Sequence, residues 1–241
     1  MRPVNPPAAD PAHLAKQAAV AKAVESIQDG MVLGLGTGTT AELMIPFVRD
    51  RLADGWRLQA ICTSRRTAEL ANAAGIPTVP LTRADQVDLT IDGADEVDPR
   101  LRIIKGRGGA LLYEKMVAQA SRREIIVVDD SKLVPVLGTR ARLPVEVVQF
   151  GWEAVRERLL QLGAVDAIGR QDGLQPFVSD SGHYILDCHF STIGEPEELD
   201  TALRRIAGVV EHGLFLGLAD LIVVGRADGS TSLLSAGKES W

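Results

Sequence analysis

This 241-residue chain has few cysteines, no pair of histidines at metal-ligand spacing and no long apolar segment. Its two cysteines, Cys62 and Cys188, are far apart and form no CxxC pair, so we expect buried free thiols and a cytoplasmic protein. Its four histidines form no pair with metal-ligand spacing, which predicts no histidine-based metal site. No segment approaches the roughly 20 apolar residues of a membrane span. The N-terminal sequence lacks the apolar centre of a signal peptide.

Positive charge is also in deficit. The formal net charge is −6, and no basic stripe or patch interleaved with aromatic residues is present, so we predict no nucleic-acid partner and no membrane partner. An acidic chain can still bind a small phosphorylated metabolite where cations and amides are gathered locally. The 46% hydrophobic and 24% charged content is that of a globular protein with room for one large domain and a smaller one.

Short apolar segments alternate with helical patterns in the first 137 residues. The first helix is expected to begin at Asp10-Pro11, where an N-cap acid precedes proline at the first helical position. This alternation predicts an α/β fold with a doubly wound, mainly parallel sheet. The predicted strands are Met31–Leu35, Leu58–Cys62, Thr78–Leu81, Val87–Asp92 and Ile125–Val128.

After Gly138 the order becomes β-α-β-β-α-β, which predicts a smaller ferredoxin-like α+β domain. We assign residues 1–137 and 208–241 to the α/β domain and residues 138–207 to the smaller one, and expect Leu221–Val224 to return to the first sheet. The predicted elements of the second region are the strand Val145–Phe150, the helix Trp152–Leu162, a hairpin of Phe177-Val178 with Tyr184–Phe190, the helix Glu197–Ile206 and the strand Val209–Phe215.

A glycine-rich loop, GLGTGTT, links a predicted strand to a predicted helix at residues 34–40. Backbone amides at the helix start and the hydroxyls of Thr37, Thr39 and Thr40 suit a phosphate group. The loop lacks the lysine of a Walker motif, and Thr39 stands where a dinucleotide fingerprint has its third glycine. A purely structural tight turn is the alternative. Likewise, Thr63-Ser64 either caps the next helix or contacts a ligand.

Acids and one lysine follow the strand that ends at Asp92. The segment Asp92-Gly93-Ala94-Asp95 lies just beyond the carboxyl end of that strand, where open α/β sheets bind ligands, although a solvated turn is the alternative. Lys105 directly precedes the segment Gly106–Gly109, a second candidate anion nest. Together these groups could move a proton beside a carbonyl and stabilise the resulting negative charge.

Two charged residues are ambiguous by pattern alone. Leu112, Met116 and Ala120 recur at helical spacing and predict the buried face of a helix, which would leave Glu114 and Lys115 on the solvent side. Lys132 follows the strand Ile125–Val128 and is either a phosphate cation or a surface residue.

The motifs GLGTGTT, Thr63-Ser64, DGADEVD, KGRGGALLYEK, VVDDSK and LPVEVV, in that order and at these separations, resemble ribose-5-phosphate isomerase of the A type. The resemblance extends from Leu14 to about Gly229. It implies interconversion of ribose 5-phosphate and ribulose 5-phosphate without metal or organic cofactor. It also implies a doubly wound α/β domain with a small α+β lid, assembled as a homodimer or a dimer of dimers.

The resemblance further implies a role for each matching residue. Glu114 matches the catalytic base, Asp92 and Asp95 match the acids that contact the sugar hydroxyls, and Lys105 matches the cation near the enediolate. Arg107 is a departure, because it interrupts a glycine run that is usually unbroken, and Thr39 stands where serine is common. The residues implied in substrate binding are Thr37, Gly38, Thr39, Thr40, Gly93, Ala94, Gly106, Arg107, Gly108, Lys132 and Lys16.

Three other functions remain as alternatives. A sugar-phosphate-sensing regulatory domain would bind without turnover and would normally carry a DNA-binding segment, of which the sequence shows no sign. An amino-sugar phosphate deaminase would need a histidine near the site. A CoA-transferase would use a glutamate nucleophile in a longer chain.

Overall fold

The computed structural model describes residues 10–83 and 85–235, so the N-terminal arm and the last six residues lie outside the described part. The helices are α1 (Pro11–Ala23), α2 (Thr39–Ala53), α3 (Arg65–Ala73), α4 (Leu111–Gln119), α5 (Trp152–Gln161) and α6 (Pro196–Arg204). The strands are β1 (Val32–Leu35), β2 (Gln59–Cys62), β3 (Leu89–Gly93), β4 (Glu96–Val97), β5 (Ile103–Ile104), β6 (Glu124–Asp129), β7 (Leu143–Val147), β8 (Asp166–Gly169), β9 (Gln171–Asp172), β10 (Gln175–Pro176), β11 (Tyr184–His189), β12 (Val209–His212), β13 (Leu214–Phe215), β14 (Leu221–Gly225) and β15 (Thr231–Ser235).

The largest sheet is mainly parallel, as predicted. Its strand order is β15-β14-β6-β3-β1-β2, and only the edge strand β15 runs antiparallel to its neighbour. The chain passes from β1 outward to β2 and then crosses to β3 on the other side of β1. This crossing makes the boundary between β1 and β3 a topological switch point, where the loops after the two strands diverge and leave a crevice.

A second, antiparallel sheet has the order β12-β7-β11-β8 and packs its own core with α5 and α6. A small third sheet, β13-β5-β4, takes β4 and β5 from the connection between β3 and β6, and β13 from the connection between β12 and β14. Leu221–Gly225 returns to the first sheet beside β6, which confirms that expectation. The turn at Asp228-Gly229 then leads into β15, an edge strand that the sequence did not predict.

The helix starts match the capping residues that the sequence predicted. The Asp10 carboxylate accepts a hydrogen bond from the Ala12 amide at 3.1 Å, and proline begins α1. The Ser64 side chain caps α3 by accepting from the Thr67 amide at 3.1 Å. Both side chains satisfy amides that a helix start leaves without partners.

Three strand predictions were wrong, namely Thr78–Leu81, Phe177-Val178 and Val209–Phe215. Thr78 forms only an isolated bridge with Ala60, so no strand covers Thr78–Leu81. Phe177-Val178 is not a strand, because β11 pairs with β7 and β8, and β9 and β10 form the intervening hairpin.

The segment Val209–Phe215 is two strands in different sheets rather than one. They separate at Gly213, which donates to Pro144 O at 2.8 Å and accepts from Lys105 N at 2.9 Å. A Cβ atom at Gly213 would lie 2.2 Å from Lys105 O, so only glycine fits where the chain crosses between sheets.

Candidate active site

All fifteen predicted site residues line one cavity of about 350 Å³ at the carboxyl ends of β1 and β3. The lining comprises Lys16, Thr37, Gly38, Thr39, Thr40, Asp92, Gly93, Ala94, Asp95, Lys105, Gly106, Arg107, Gly108, Glu114 and Lys132. The cavity therefore occupies the switch point of the parallel sheet, the usual ligand position in this architecture.

The loop between β1 and α2 forms one wall. Gly36 lies so close to β3 that an added Cβ would be 2.1 Å from the Asp92 Oδ1 atom. Gly38 has a φ of +72° and starts the 15-residue helix α2, so the Thr39 and Thr40 amides lie at a helix N-terminus. The Thr37 and Thr63 hydroxyls are 2.7 Å apart, which links this wall to the end of β2. Such a helix start favours an anion.

Two ammonium groups from distant parts of the chain complete this end of the cavity. Lys16 on α1 donates from Nζ to the Thr39 hydroxyl at 2.8 Å. Lys132 follows β6 in a short helical turn that is capped by the Asp129 carboxylate. Burial lowers the pKa of Lys16, and the Lys132 charge lowers it further, while Asp129 opposes both effects. An anion placed between the two ammonium groups would reduce their mutual repulsion.

A buried network of charges adjoins this wall of the cavity. Lys105 donates from Nζ to Gly93 O at 2.6 Å and lies 3.0 Å from Asp92 Oδ2 and 3.5 Å from Glu114 Oε1. The other Asp92 oxygen accepts from the Gly93 amide at 2.7 Å and the Thr37 amide at 3.2 Å. The three charged side chains are between 2% and 6% exposed, so their interactions are weakly screened.

This arrangement perturbs the ionisation of Glu114 and Lys105. Burial raises the pKa of Glu114 to about 8, with the Lys105 ammonium opposing the shift and Asp92 and Asp95 adding to it. Burial alone would lower the pKa of Lys105, but the Asp92 and Glu114 carboxylates reverse that effect and raise it above its ordinary value. A carboxylate whose pKa lies near neutrality is suited to both accept and return a proton.

The prediction that Glu114 and Lys115 face solvent was wrong. Glu114 and Lys115 are 6% and 3% exposed, whereas Met116, predicted to be buried, is 47% exposed. Lys115 is directed away from the cavity and donates to Glu211 Oε1 and His212 O, both at 2.7 Å. Helix α4 thus buries charged side chains on two sides, which a periodicity based on apolar residues does not detect.

The glycine turn after Lys105 forms the remaining wall. Gly106 and Gly109 have φ values of +106° and +81°, which side-chain-bearing residues rarely adopt. The Arg107 amide donates to Asp95 Oδ2 at 3.0 Å, while the Arg107 side chain is exposed at the cavity mouth. Arg107 also lines a neighbouring cavity of about 600 Å³, which shares Asp95 and Lys132 with the first.

Sequence reasoning missed Arg170, which contacts this wall from the second sheet. Its guanidinium donates to Gly106 O at 2.9 Å and Arg107 O at 3.1 Å. No motif surrounds Arg170, and its two partners in the glycine turn are more than 60 positions away, so no local signal could have identified this contact.

Cys62 is only partly buried in β2, contrary to expectation, whereas Cys188 in β11 is buried as expected, and both thiols are free. Over residues 10–83 and 85–235, no group of three or more His, Cys, Asp or Glu side chains is placed to hold a metal ion. Within that same part of the chain, no helix is long and apolar enough to cross a membrane.

Comparison with known families gives a consistent result. The family model of ribose 5-phosphate isomerase A (phosphoriboisomerase A) matches residues 59–229. The ribose-5-phosphate isomerase A of Gloeobacter violaceus is 52% identical over 215 residues, covering 89% of this chain and 93% of the relative. That of Thermomicrobium roseum is 48% identical over 216 residues, covering 89% and 91%.

Two solved structures are similar to this one over more than nine-tenths of the chain. Ribose 5-phosphate isomerase from Plasmodium falciparum superposes with a TM-score of 0.90 at 34% identity, covering 94% of this chain and 100% of the other. A D-ribose-5-phosphate isomerase in complex with phospho-erythronic acid gives a TM-score of 0.88 at 35% identity, covering 93% and 99%.

Proposed function

Because the chain belongs to the ribose 5-phosphate isomerase A family, we propose that the cavity between β1 and β3 is its active site, with Glu114 as the base. The chain is an aldose-ketose isomerase that interconverts ribose 5-phosphate and ribulose 5-phosphate. Each step of that reaction can be assigned to residues that line the cavity.

The phosphate end of the substrate occupies the wall formed by the β1–α2 loop. The Thr39 and Thr40 amides, the threonine hydroxyls and the Lys16 and Lys132 ammonium groups surround this space. A bound phosphate dianion would relieve the repulsion between the two lysines. Binding energy gained at this remote group holds the reacting carbons in place at the other end.

The reacting end lies beside Glu114. After the sugar ring opens, the Glu114 carboxylate removes the proton from C2, and the electron pair forms the C1–C2 double bond of a cis-enediolate. The negative charge passes to O1. A proton passes from the O2 hydroxyl to O1, and the protonated Glu114 returns its proton to C1 while O2 becomes the ketone oxygen. Every proton removed is returned, so the reaction needs no oxidant.

Lys105 and the two aspartates handle charge and hydroxyl protons. The Lys105 ammonium, held between Gly93 O and Asp92, stabilises the enediolate oxygens. Preorganised donors of this kind typically contribute about 10²–10³ in kcat. Asp92 and Asp95 contact the sugar hydroxyls and assist ring opening. These side chains supply all the proton transfers, so we propose a reaction that requires neither metal nor organic cofactor.

One observation carries the assignment of the base. Glu114 Oε1 contacts Lys105, whereas the buried Oε2 atom has no hydrogen-bond partner among the described residues. A buried polar atom without a partner is costly and calls for an explanation. A substrate C–H or hydroxyl group in the cavity would supply that missing partner.

Phospho-erythronic acid, the ligand of one related structure, supports this orientation. It combines a phosphate with a planar carboxylate whose two oxygens resemble O1 and O2 of an enediolate. In this chain the Thr37–Thr40 wall would receive its phosphate, and Lys105 would receive its carboxylate.

We also propose the finer organisation of the molecule. The strand order β12-β7-β11-β8 supports a ferredoxin-like lid built on residues 138–207, and the pairing of β12 with β7 supports including residues 208–212 in it. We propose that the protein is cytoplasmic, which its two free thiols fit. We also propose that it assembles as a homodimer or a dimer of dimers.

Incubation of the purified protein with ribose 5-phosphate in the presence of a metal chelator tests the proposal. Ketose formation at an undiminished rate supports a cofactor-free isomerase site. Binding of ribose 5-phosphate without conversion would instead identify a sensor and overturn the proposed chemistry.

A further inference from the structure

Arg170 joins the second sheet to the glycine turn of the proposed active site. Its side chain is 14% exposed and forms a two-pronged ion pair with Asp187 on β11, including a 2.9 Å bond from Nε to Oδ2. The same guanidinium donates from Nη1 to Gly106 O and Arg107 O. Asp187 holds the guanidinium in place, and Gly106 O accepts a second hydrogen bond from the Gly109 amide at 3.0 Å. Arg170 and the hydrogen bond within the turn therefore hold the Gly106 carbonyl together.

The ring of Phe177 closes the other side of this contact. The Arg170 guanidinium carbon lies 5.7 Å from the ring centroid, within the range of a cation–π interaction. A Cβ atom at Gly109 would be 2.5 Å from the Phe177 ring, so the ring packs directly against the turn. We call Arg170, Asp187 and Phe177 the turn clamp.

The turn clamp helps to hold two peptide units of the turn, and the orientation of each unit sets the direction of one amide N–H group. In a planar trans peptide the C=O and N–H bonds point in opposite directions. The Gly106 carbonyl faces Arg170, so the Arg107 N–H points the other way, where it donates to Asp95 Oδ2 at 3.0 Å. The Arg107 carbonyl also faces Arg170, so the N–H of Gly108 points away from Arg170, and Gly108 itself lines the cavity.

The Gly108 amide has no hydrogen-bond acceptor among the residues that the structure describes. Gly108 is also close to the opposite wall, since an added Cβ would be 3.5 Å from Thr37 Cγ2. An unused N–H at this place can serve a developing negative charge, as oxyanion-type donors do.

We propose that Arg170 is a positioning residue for the isomerisation, which orients the Gly108 N–H toward the enediolate oxygens through the Gly106 and Arg107 carbonyls. This inference rests on the proposed active site. Arg170 itself acts from outside the reacting atoms and supplies no proton. A residue that directly follows β8 of the second sheet would thereby influence catalysis in the cavity at the edge of the first sheet.

Comparison of Arg170→Gln with Arg142→Gln tests the proposal. Arg142 is a matched control, because it pairs with Asp166 at 3.0 Å and donates to Asp187 O at 3.3 Å, yet makes no bond to the turn within the described part of the chain. Arg170→Gln should lower kcat about 10-fold or more with little change in KM, since misplaced groups lose much of their effect. Arg142→Gln should leave both constants within about 2-fold, as expected for a surface ion pair.

A second measurement separates orientation from general damage. Asp187→Asn retains Arg170 but weakens the ion pair that holds its guanidinium, so it should lower kcat by a smaller factor than Arg170→Gln does. In amide NMR spectra without substrate, the Gly108 N–H signal should shift in Arg170→Gln and Asp187→Asn and stay in place in Arg142→Gln.

An unchanged kcat in Arg170→Gln, an equal loss in Arg142→Gln, or an unmoved Gly108 signal would each overturn the proposal. If the wild-type protein fails to convert ribose 5-phosphate, the proposed function fails, while the NMR comparison still tests the turn clamp.

Discussion

Replacement of Lys105 by methionine should change how the activity depends on pH, because Lys105 is the only cation among the described residues that pairs with both Asp92 and Glu114. Its Nζ atom lies 3.5 Å from Glu114 Oε1. At an effective dielectric constant of about 20, this separation corresponds to an attraction of about 5 kcal/mol. That attraction would lower the pKa of Glu114 by about 3.5 units relative to a site without the Lys105 charge.

Removal of the Lys105 charge should raise the pKa of Glu114, although water that enters beside the substituted methionine would reduce the rise. We therefore expect the acidic limb of the pH profile of kcat/KM to move to higher pH by at least about 1 unit. The wild-type limb should lie near the Glu114 pKa of about 8. The maximal kcat should also fall by about 10²–10³, because an enediolate donor is lost. The assay is the rate of ketose formation from ribose 5-phosphate over a range of pH.

Lys115→Met is the matched control. Lys115 is equally buried and its ammonium lies 5.0 Å from the centroid of Phe215, while that of Lys105 lies 5.5 Å from the same ring. Its partners are Glu211 and the His212 carbonyl rather than the site carboxylates. Lys115→Met should reduce stability and leave the limb in place. An unmoved limb in Lys105→Met, or an equal movement in both variants, would refute the electrostatic argument.

Three further predictions concern phosphate binding, close packing and acid stability. Lys132→Ala should raise KM for ribose 5-phosphate about 10-fold with little change in kcat, because it removes a charged contact, and an unchanged KM would exclude Lys132 from the phosphate site. Gly36→Ala should lower kcat/KM by about 10², because its Cβ would displace Asp92, whereas Gly194→Ala, which meets no atom within 4 Å, should be silent in the same assay. Burial lowers the pKa of His212 to about 4, so the folded state binds fewer protons than the unfolded state between pH 4 and about 6.5. Stability should therefore fall by up to about 3 kcal/mol as pH decreases through that window, and His212→Gln should flatten the decrease in urea titrations.

Part of the site was predictable because several of its motifs follow strands of one parallel sheet. Lys105, by contrast, follows β5 of the small third sheet, and Glu114 lies on α4. The residues after β1, β3 and β6 meet at the same edge, so Thr37, Asp92 and Lys132 could be placed in one crevice without knowledge of any side-chain contact. The parallel sheet itself followed from the alternation of strands and helices.

Other features depend on contacts between distant segments. Lys115 is buried because Glu211, 96 positions away, supplies its partner, and apolar periodicity carries no information about such pairs. The division between β12 and β13 depends on the close approach of Gly213 to the Lys105 backbone. In both cases the deciding atoms belong to another part of the chain, so the local pattern predicted a simpler arrangement.

Conversion of ribose 5-phosphate in deuterium oxide by Glu114→Gln and the wild-type protein tests the central claim most directly. The substituted glutamine retains the shape of the side chain but cannot accept a proton, so kcat and the exchange of the C2 hydrogen should both fall by at least about 10², with a modest change in KM. Turnover and exchange near the wild-type rates in Glu114→Gln would contradict the assignment of Glu114 as the base.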